Sequence, residues 1–161
     1  MNALVRQASS VHLVAERLQQ GSLFGAVSAD GINYLLDNGQ IWELNPGDQL
    51  YDFGDLANRF FVVCSGQLQF IRIQGDTELC TRRIGFGEEI GYVAMISLQP
   101  HGGRVIATKP SIVLEVSCDL YAGLQANYPQ DFGIFTLNLA RDMARNVQRL
   151  NTLLCENSIR F

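Results

Sequence analysis

The residues best placed to do chemistry lie in one stretch, Arg83-Ile84-Gly85-Phe86-Gly87-Glu88-Glu89-Ile90-Gly91-Tyr92-Val93-Ala94-Met95-Ile96, continuing to Pro100-His101-Gly102-Gly103-Arg104-Val105-Ile106-Ala107. A glycine-marked turn leads into an apolar segment long enough for one helical turn, and a glycine-containing loop leads back into a strand. A helix that starts after glycine presents unpaired N–H groups and the positive end of its dipole, a natural cradle for an anion. Gly91, Tyr92, Val93 and Ala94 would form that cradle, with His101, Gly102, Gly103 and Arg104 supplying the facing loop. Taken alone the pattern is weak, because glycines between strands are more often plain turns.

Other chemistries find little support. No G-x-S-x-G, Walker A or H-E-x-x-H motif occurs, so no enzyme is expected. His12 and His101 are the only histidines, too few for a cupin-type metal site, and no metal is expected. The cysteines, Cys64, Cys80, Cys118 and Cys155, are widely spread with no C-x-x-C pair. Three lie in apolar stretches, which suits small buried hydrophobes in a reduced, cytoplasmic protein. An axial haem ligand from His101, Cys64 or Cys118 stays chemically open. Twelve basic against sixteen acidic residues give a net charge of -4, which argues against a nucleic-acid binder. Arg6, Gln7, His12, Glu16 and Arg17 interrupt any signal-peptide core, and no apolar run is long enough to predict a membrane span.

The length suits one domain, residues 1–161. Ser9-Ser10, the apolar steps Val11, Val14 and Leu18, and Gly21 bracket a short N-terminal helix, and Gly31 to Leu36 forms a second helical piece within residues 1–39. From 40 to 116 short apolar runs such as Phe60-Phe61-Val62-Val63-Cys64 and Leu68-Gln69-Phe70-Ile71 alternate with turns such as Pro46-Gly47-Asp48 and Ser65-Gly66. That grammar predicts an antiparallel β-roll, a double-stranded jelly roll, and an α+β fold that is mainly β. Residues 117–161 turn helical, with Asp119 to Asn127 in one helix and Pro129 opening a long one. Phe132, Phe135, Leu139, Met143, Val147, Leu150 and Leu154 recur there at steps of three or four. A stripe that long outruns one small core, so Phe135 to Leu154 is expected to form a homodimer interface. Arg141, Arg145 and Arg149 form a basic row beside it, read as a solvated face or one that meets an acidic partner.

The informative stretch resembles the phosphate-binding cassette of cyclic nucleotide-binding domains, the sensor domains of catabolite-activator-like regulators. Ile84-Gly85-Phe86-Gly87-Glu88-Glu89-Ile90-Gly91 follows the family's L-G-x-G-[DE]-x-[FI]-G without a gap. Val93-Ala94-Met95-Ile96, Pro100, Val105 and Ala107 fall in register, which sets the cassette at 84–107. Pro46-Gly47-Asp48, Gly54-Asp55 and Phe61 to Gly66 resemble the family's remaining turns. The resemblance implies a non-catalytic signalling module that senses a cyclic nucleotide, a cyclic dinucleotide or another small anion and transmits it through the C-terminal helix. It covers no helix-turn-helix module, so no DNA contact is expected. Residues 1–63 lack the cysteines that the family's iron–sulfur members use.

The departures fall on the polar anchors. The family's ribose-binding glutamate aligns with Tyr92, its phosphate-binding arginine with His101, and the adjacent hydroxyl residue with Gly102. Histidine cannot reproduce a bidentate, permanently charged guanidinium clamp. The helix contact to the base would fall near Leu150 and Asn151, of which only Asn151 can hydrogen-bond. Two functions fit this pattern. Either the backbone N–H groups, His101 and Arg104 hold an altered ligand, or the cassette is a structural turn, the pocket is empty or filled by Tyr92, and the domain is an adaptor with a protein partner.

Overall fold

The computed structural model describes residues 2–4 and 15–157. The elements are β1 (Asn2–Leu4), α1 (Ala15–Leu18), α2 (Ala29–Asn38), β2 (Gln40–Leu44), β3 (Gln49–Tyr51), β4 (Arg59–Ser65), β5 (Leu68–Gln74), β6 (Thr77–Ile84), β7 (Glu89–Ile90), α3 (Tyr92–Ile96), β8 (Gly103–Ala107), β9 (Ser111–Ser117), α4 (Cys118–Asn127) and α5 (Pro129–Glu156). Two antiparallel sheets, ordered β1-β2-β9-β4-β7 and β3-β8-β5-β6, make the roll. The predicted helix from Ser9 survives in the described residues as α1, and its first half lies outside them, as does His12. Strand β1, on the outer edge of β2, has no signal in the hydrophobic pattern.

Strand β4 shows why the roll holds together. A strand sends alternate side chains to opposite faces, so a run with no polar break must be covered on both. Phe60, Val62 and Cys64 face the helices, where Phe24, Leu35, Leu124, Phe135 and Leu139 meet them. Phe61 and Val63 face the interior of the roll with Leu68, Ile84, Val105 and Val113. Burial pushes the Cys64 thiol up to about 12, so it is a packing group and not a thiolate. Cys80, Cys118 and Cys155 are exposed, which corrects the expectation that three cysteines are buried. Cys80 lies on the outer half of β6, where the hairpin leaves the roll and side chains on both faces meet solvent.

The N-terminal segment is fastened by buried polar groups of α5. Asp131 accepts from the Ser28 N–H at 2.8 Å and the Ser28 hydroxyl at 2.6 Å, while that hydroxyl caps α2 by accepting from Gly31. Asn138 donates to the carbonyls of Leu23 and Gly25 at 3.0 and 2.8 Å. Gly21 passes so close to the cassette turn that a Cβ there would lie 2.7 Å from the Gly87 Cα. Only glycine permits that approach.

The stripe on α5 divides into two parts. Phe135 and Leu139 are wholly buried in the protein's own core, with the Phe135 ring 5.4 Å from Phe24, and Met143 packs partly against the same cluster. They are therefore unavailable to a second copy, which corrects the expected interface. Val147, Leu150 and Leu153 are exposed along the far half of α5, Leu137 is exposed nearer its start, and Leu154 is half-buried. No helix among the described residues is long and apolar enough to cross a membrane.

The buried ring of Phe135 sets a first expectation. Phe135→Ala should cost about 3–5 kcal/mol in equilibrium denaturant unfolding, the usual toll of an aromatic cavity, whereas Leu153→Ala should cost under about 1 kcal/mol. Equal losses would mean that the core does not end where α5 leaves the roll.

Candidate functional site

Helix α3 starts where the sequence places it, directly after Gly91. Gly91 sits at φ 102°, a conformation that L side chains rarely adopt, and a Cβ there would also come within a tight 3.3 Å of the His101 ring. The helix has five residues. Its first N–H, from Tyr92, donates to the Glu89 carboxylate at 3.0 Å. One N–H of the cradle predicted for an external anion is thus taken by a carboxylate of the protein itself. Glu89 is 2% exposed and pairs with Arg82 at 3.3 Å. The other Arg82 nitrogen reaches Asp142 of α5 at 2.8 Å. Burial raises the Glu89 pKa, and the Arg82 charge and the Tyr92 N–H pull it back.

Of the sequence-predicted contacts, Tyr92 and Arg104 point away from the cleft, and His101 stays at it as a buried ring. Tyr92 turns away from the cassette surface into the helix-side core, edge-on to Phe60 at 5.3 Å, with its hydroxyl 3.2 Å from that of Tyr121. Burial there raises its phenol above the usual range. The side chain is not among those lining the cleft. His101 is 3% exposed and lies flat on Tyr51 with ring centroids 3.7 Å apart. Burial lowers its pKa, with Asp55 opposing, so the ring is neutral at pH 7 and no substitute for a guanidinium. Arg104 follows the alternation of β8 to the face opposite Val105, where it pairs with Glu78. Gly103, whose Cβ would run into the Phe70 ring at 2.9 Å, is a packing position against β5.

Gly91, Val93, Ala94, His101 and Gly102 do come together, as one wall of a cleft of about 540 Å³. Asn146, Arg149 and Leu150 of α5 form the facing wall, and Phe70, Arg72, Thr81, Arg82 and Glu89 line the space between. Asn151 is exposed and outside it, because one more residue of helix turns about 100° from Leu150. A bulge shapes the base of the cleft. Phe70 pairs with Arg82 and Ile71 with Cys80, leaving Thr81 as the extra residue. The Thr81 carbonyl accepts from Arg149 at 2.8 Å. In the basic row, Arg141 donates to Asn138 and Arg145 pairs with Asp142, so only Arg149 reaches the cleft.

The profile of the cyclic nucleotide-binding domain matches residues 41–127, more than half of the chain. The chain belongs to the cyclic nucleotide-binding domain family. A cyclic nucleotide-binding domain from Methylobacillus flagellatus superposes with a TM-score of 0.79 at 21% identity, covering 92% of this chain and 84% of that one. The catabolite activator protein of Thermus thermophilus superposes at 0.71 with 22% identity, covering 86% and 63%. At that identity these two share the fold. The lysophospholipase NTE1 of Cryptococcus neoformans is 25% identical over 107 residues, 66% of this chain but only 6% of its own length.

Within the family frame, sequence reasoning missed Arg72, Arg82, Glu89 and Asn146. Arg72 stands two residues from Phe70 in a strand and so shares its face, a signal the alternation carried. The pairing of Glu89 with Tyr92 N–H had no such signal.

Two outcomes follow from this geometry. Tyr92→Glu places a carboxylate among Phe60, Tyr121 and Phe135 and should cost several kcal/mol by thermal or denaturant unfolding, without creating a ribose contact. His101, with its folded pKa below the usual 6.5, contributes stability that is present above that value and lost as pH falls through it. Unfolding free energies at pH 7.5 and 5.5 should fall more steeply for the wild type than for His101→Phe, which keeps a ring on Tyr51. Equal slopes would show that His101 is free to take its proton in the fold.

Proposed function

We propose that this domain is a non-catalytic, cytoplasmic regulatory module that senses a small anionic ligand in the cleft and passes the signal through α5. One observation carries the reading. The cassette supplies one wall of the cleft and α5 the other, so anything bound there touches the roll and the helix at once. A ligand that prefers one packing of α5 over another shifts the population between them by its difference in affinity. Nucleotides, cyclic dinucleotides included, match the mixture of guanidinium and apolar groups along the walls. A homodimer through the exposed half of α5 completes the proposal, with Val147, Leu150 and Leu153 as its seam.

A second reading keeps the fold and drops the ligand. Glu89 already occupies the N–H of Tyr92, which favours a structural cassette and an adaptor that offers α5 to a protein partner. A thermal-shift panel of cyclic AMP, cyclic GMP and cyclic di-GMP separates the two. A true ligand at one hundred times its Kd should add about 2.7 kcal/mol, and a flat panel would favour the adaptor.

Cyclic AMP itself should bind poorly. Two charge-assisted contacts of about 1.5–3 kcal/mol each are missing at Tyr92 and His101, so calorimetry should give an affinity two to four orders of magnitude below that of a complete cassette. For the dimer, light scattering should give twice the chain mass at micromolar concentration and the single mass for Val147→Glu with Leu153→Glu. A monomeric wild type would remove the seam.

A further inference from the structure

We infer that Arg72 of β5 and Arg149 of α5 together hold the anionic group of the ligand, in place of the arginine that the cassette lacks, and that this ligand is an organic phosphate with an apolar or aromatic body. The inference deepens the proposed function and rests on the cleft being the ligand site.

Position is the first argument. Phe70 and Arg72 share the face of β5 that lines the cleft, and the Arg72 Cα stands opposite Gly103. A Cβ built on Gly102 would lie 2.8 Å from the Arg72 Cζ, closer than real side chains come. Any side chain at residue 102 would therefore displace this guanidinium. The loss of the family's hydroxyl residue at 102 and the presence of an arginine at 72 are two halves of one rearrangement.

Charge is the second. Arg59, Arg82, Arg104 and Arg145 each have a carboxylate partner. Among the described residues Arg72 has none, and Arg149 has the Thr81 carbonyl alone. The cleft thus carries Arg72, Arg82 and Arg149 against Glu89, and because Arg82 is paired with Glu89 and Asp142, the excess is that of Arg72 and Arg149. In a chain of net charge -4, which repels anions at long range, such a local excess marks where an anion can be held. Guanidinium forks suit phosphate oxygens in particular. Ile90, Val93, Leu150 and the Phe70 ring supply apolar wall that a bare phosphate would leave uncovered. Hence the body attached to it.

The test is calorimetry with 5′-AMP, cyclic AMP, cyclic di-GMP and inorganic pyrophosphate on the wild type, Arg72→Gln, Arg149→Gln, Gly102→Ser and Arg104→Gln, with circular dichroism on each to show the fold intact. Arg104 lies on the opposite face of the same sheet and controls for the loss of one positive charge. Expected are binding of at least one nucleotide and a tenfold to hundredfold loss in Arg72→Gln, Arg149→Gln and Gly102→Ser, with Arg104→Gln within about twofold of the wild type and pyrophosphate weaker than the nucleotide. Wild-type affinity in Arg72→Gln would overturn the assignment while leaving the cleft a ligand site. Pyrophosphate binding as tightly as the best nucleotide would overturn the organic body. No binding of any probe to the wild type would overturn this inference and the sensor function together.

Discussion

One guanidinium ties the roll to the long helix. Arg82 leaves β6 and meets Glu89 of β7 and Asp142 of α5, with all three side chains largely withdrawn from water. Taking such charges out of water costs several kcal/mol per ion, and the pairing offsets that only when the remaining lone pairs and protons are also satisfied. Here they are. Glu89 accepts the Tyr92 N–H, and Asp142 is also approached by Arg145. Because one cation is shared by Glu89 and Asp142 on different elements, with Glu88 a third carboxylate at 3.7 Å, α5 is tied to β6 and β7 at the base of the cleft.

The rest of α5 is held by means suited to its depth. Near its start, stacked rings and the buried Asp131 and Asn138 bind it to the N-terminal segment, and Phe135 and Leu139 are used up in the protein's own core. Beyond Met143, Arg149 reaches Thr81, Asn146 and Leu150 line the cleft, and the apolar stripe emerges into solvent. The same heptad-like spacing therefore means core in one half and exposed face in the other. Periodicity states which face is apolar but not what covers it.

That distinction explains how far the sequence could be read. The strands of the roll were legible because β4 and its neighbours are continuous apolar runs cut by glycine turns, and Pro129 marked the start of α5. The backbone of the cassette was legible too, since Gly87 and Gly91 sit at positive φ as the pattern requires. Its side chains were not. Register placed Tyr92, His101 and Arg104 at functional positions, yet burial drew Tyr92 to Phe60 and Tyr121, ring stacking drew His101 to Tyr51, and strand alternation sent Arg104 to Glu78. Each outcome depends on a partner distant in sequence, and local spacing carries no information about it.

The cassette also shows how a backbone outlives its contacts. The turn is kept by demands that concern the fold alone: the close approach of Gly87 to Gly21 and the positive φ of Gly91. With those demands met, the N–H that opens α3 needs some acceptor, and Glu89 supplies it from three residues away. An external anion would have to surrender translational and rotational freedom to take the same place, whereas Glu89 is already held there by the chain. Competition at that N–H favours the internal carboxylate. Among the described residues Arg72 and Arg149 line the cleft with no carboxylate partner, so the positive charge there that no carboxylate balances lies off the α3 turn, on β5 and α5.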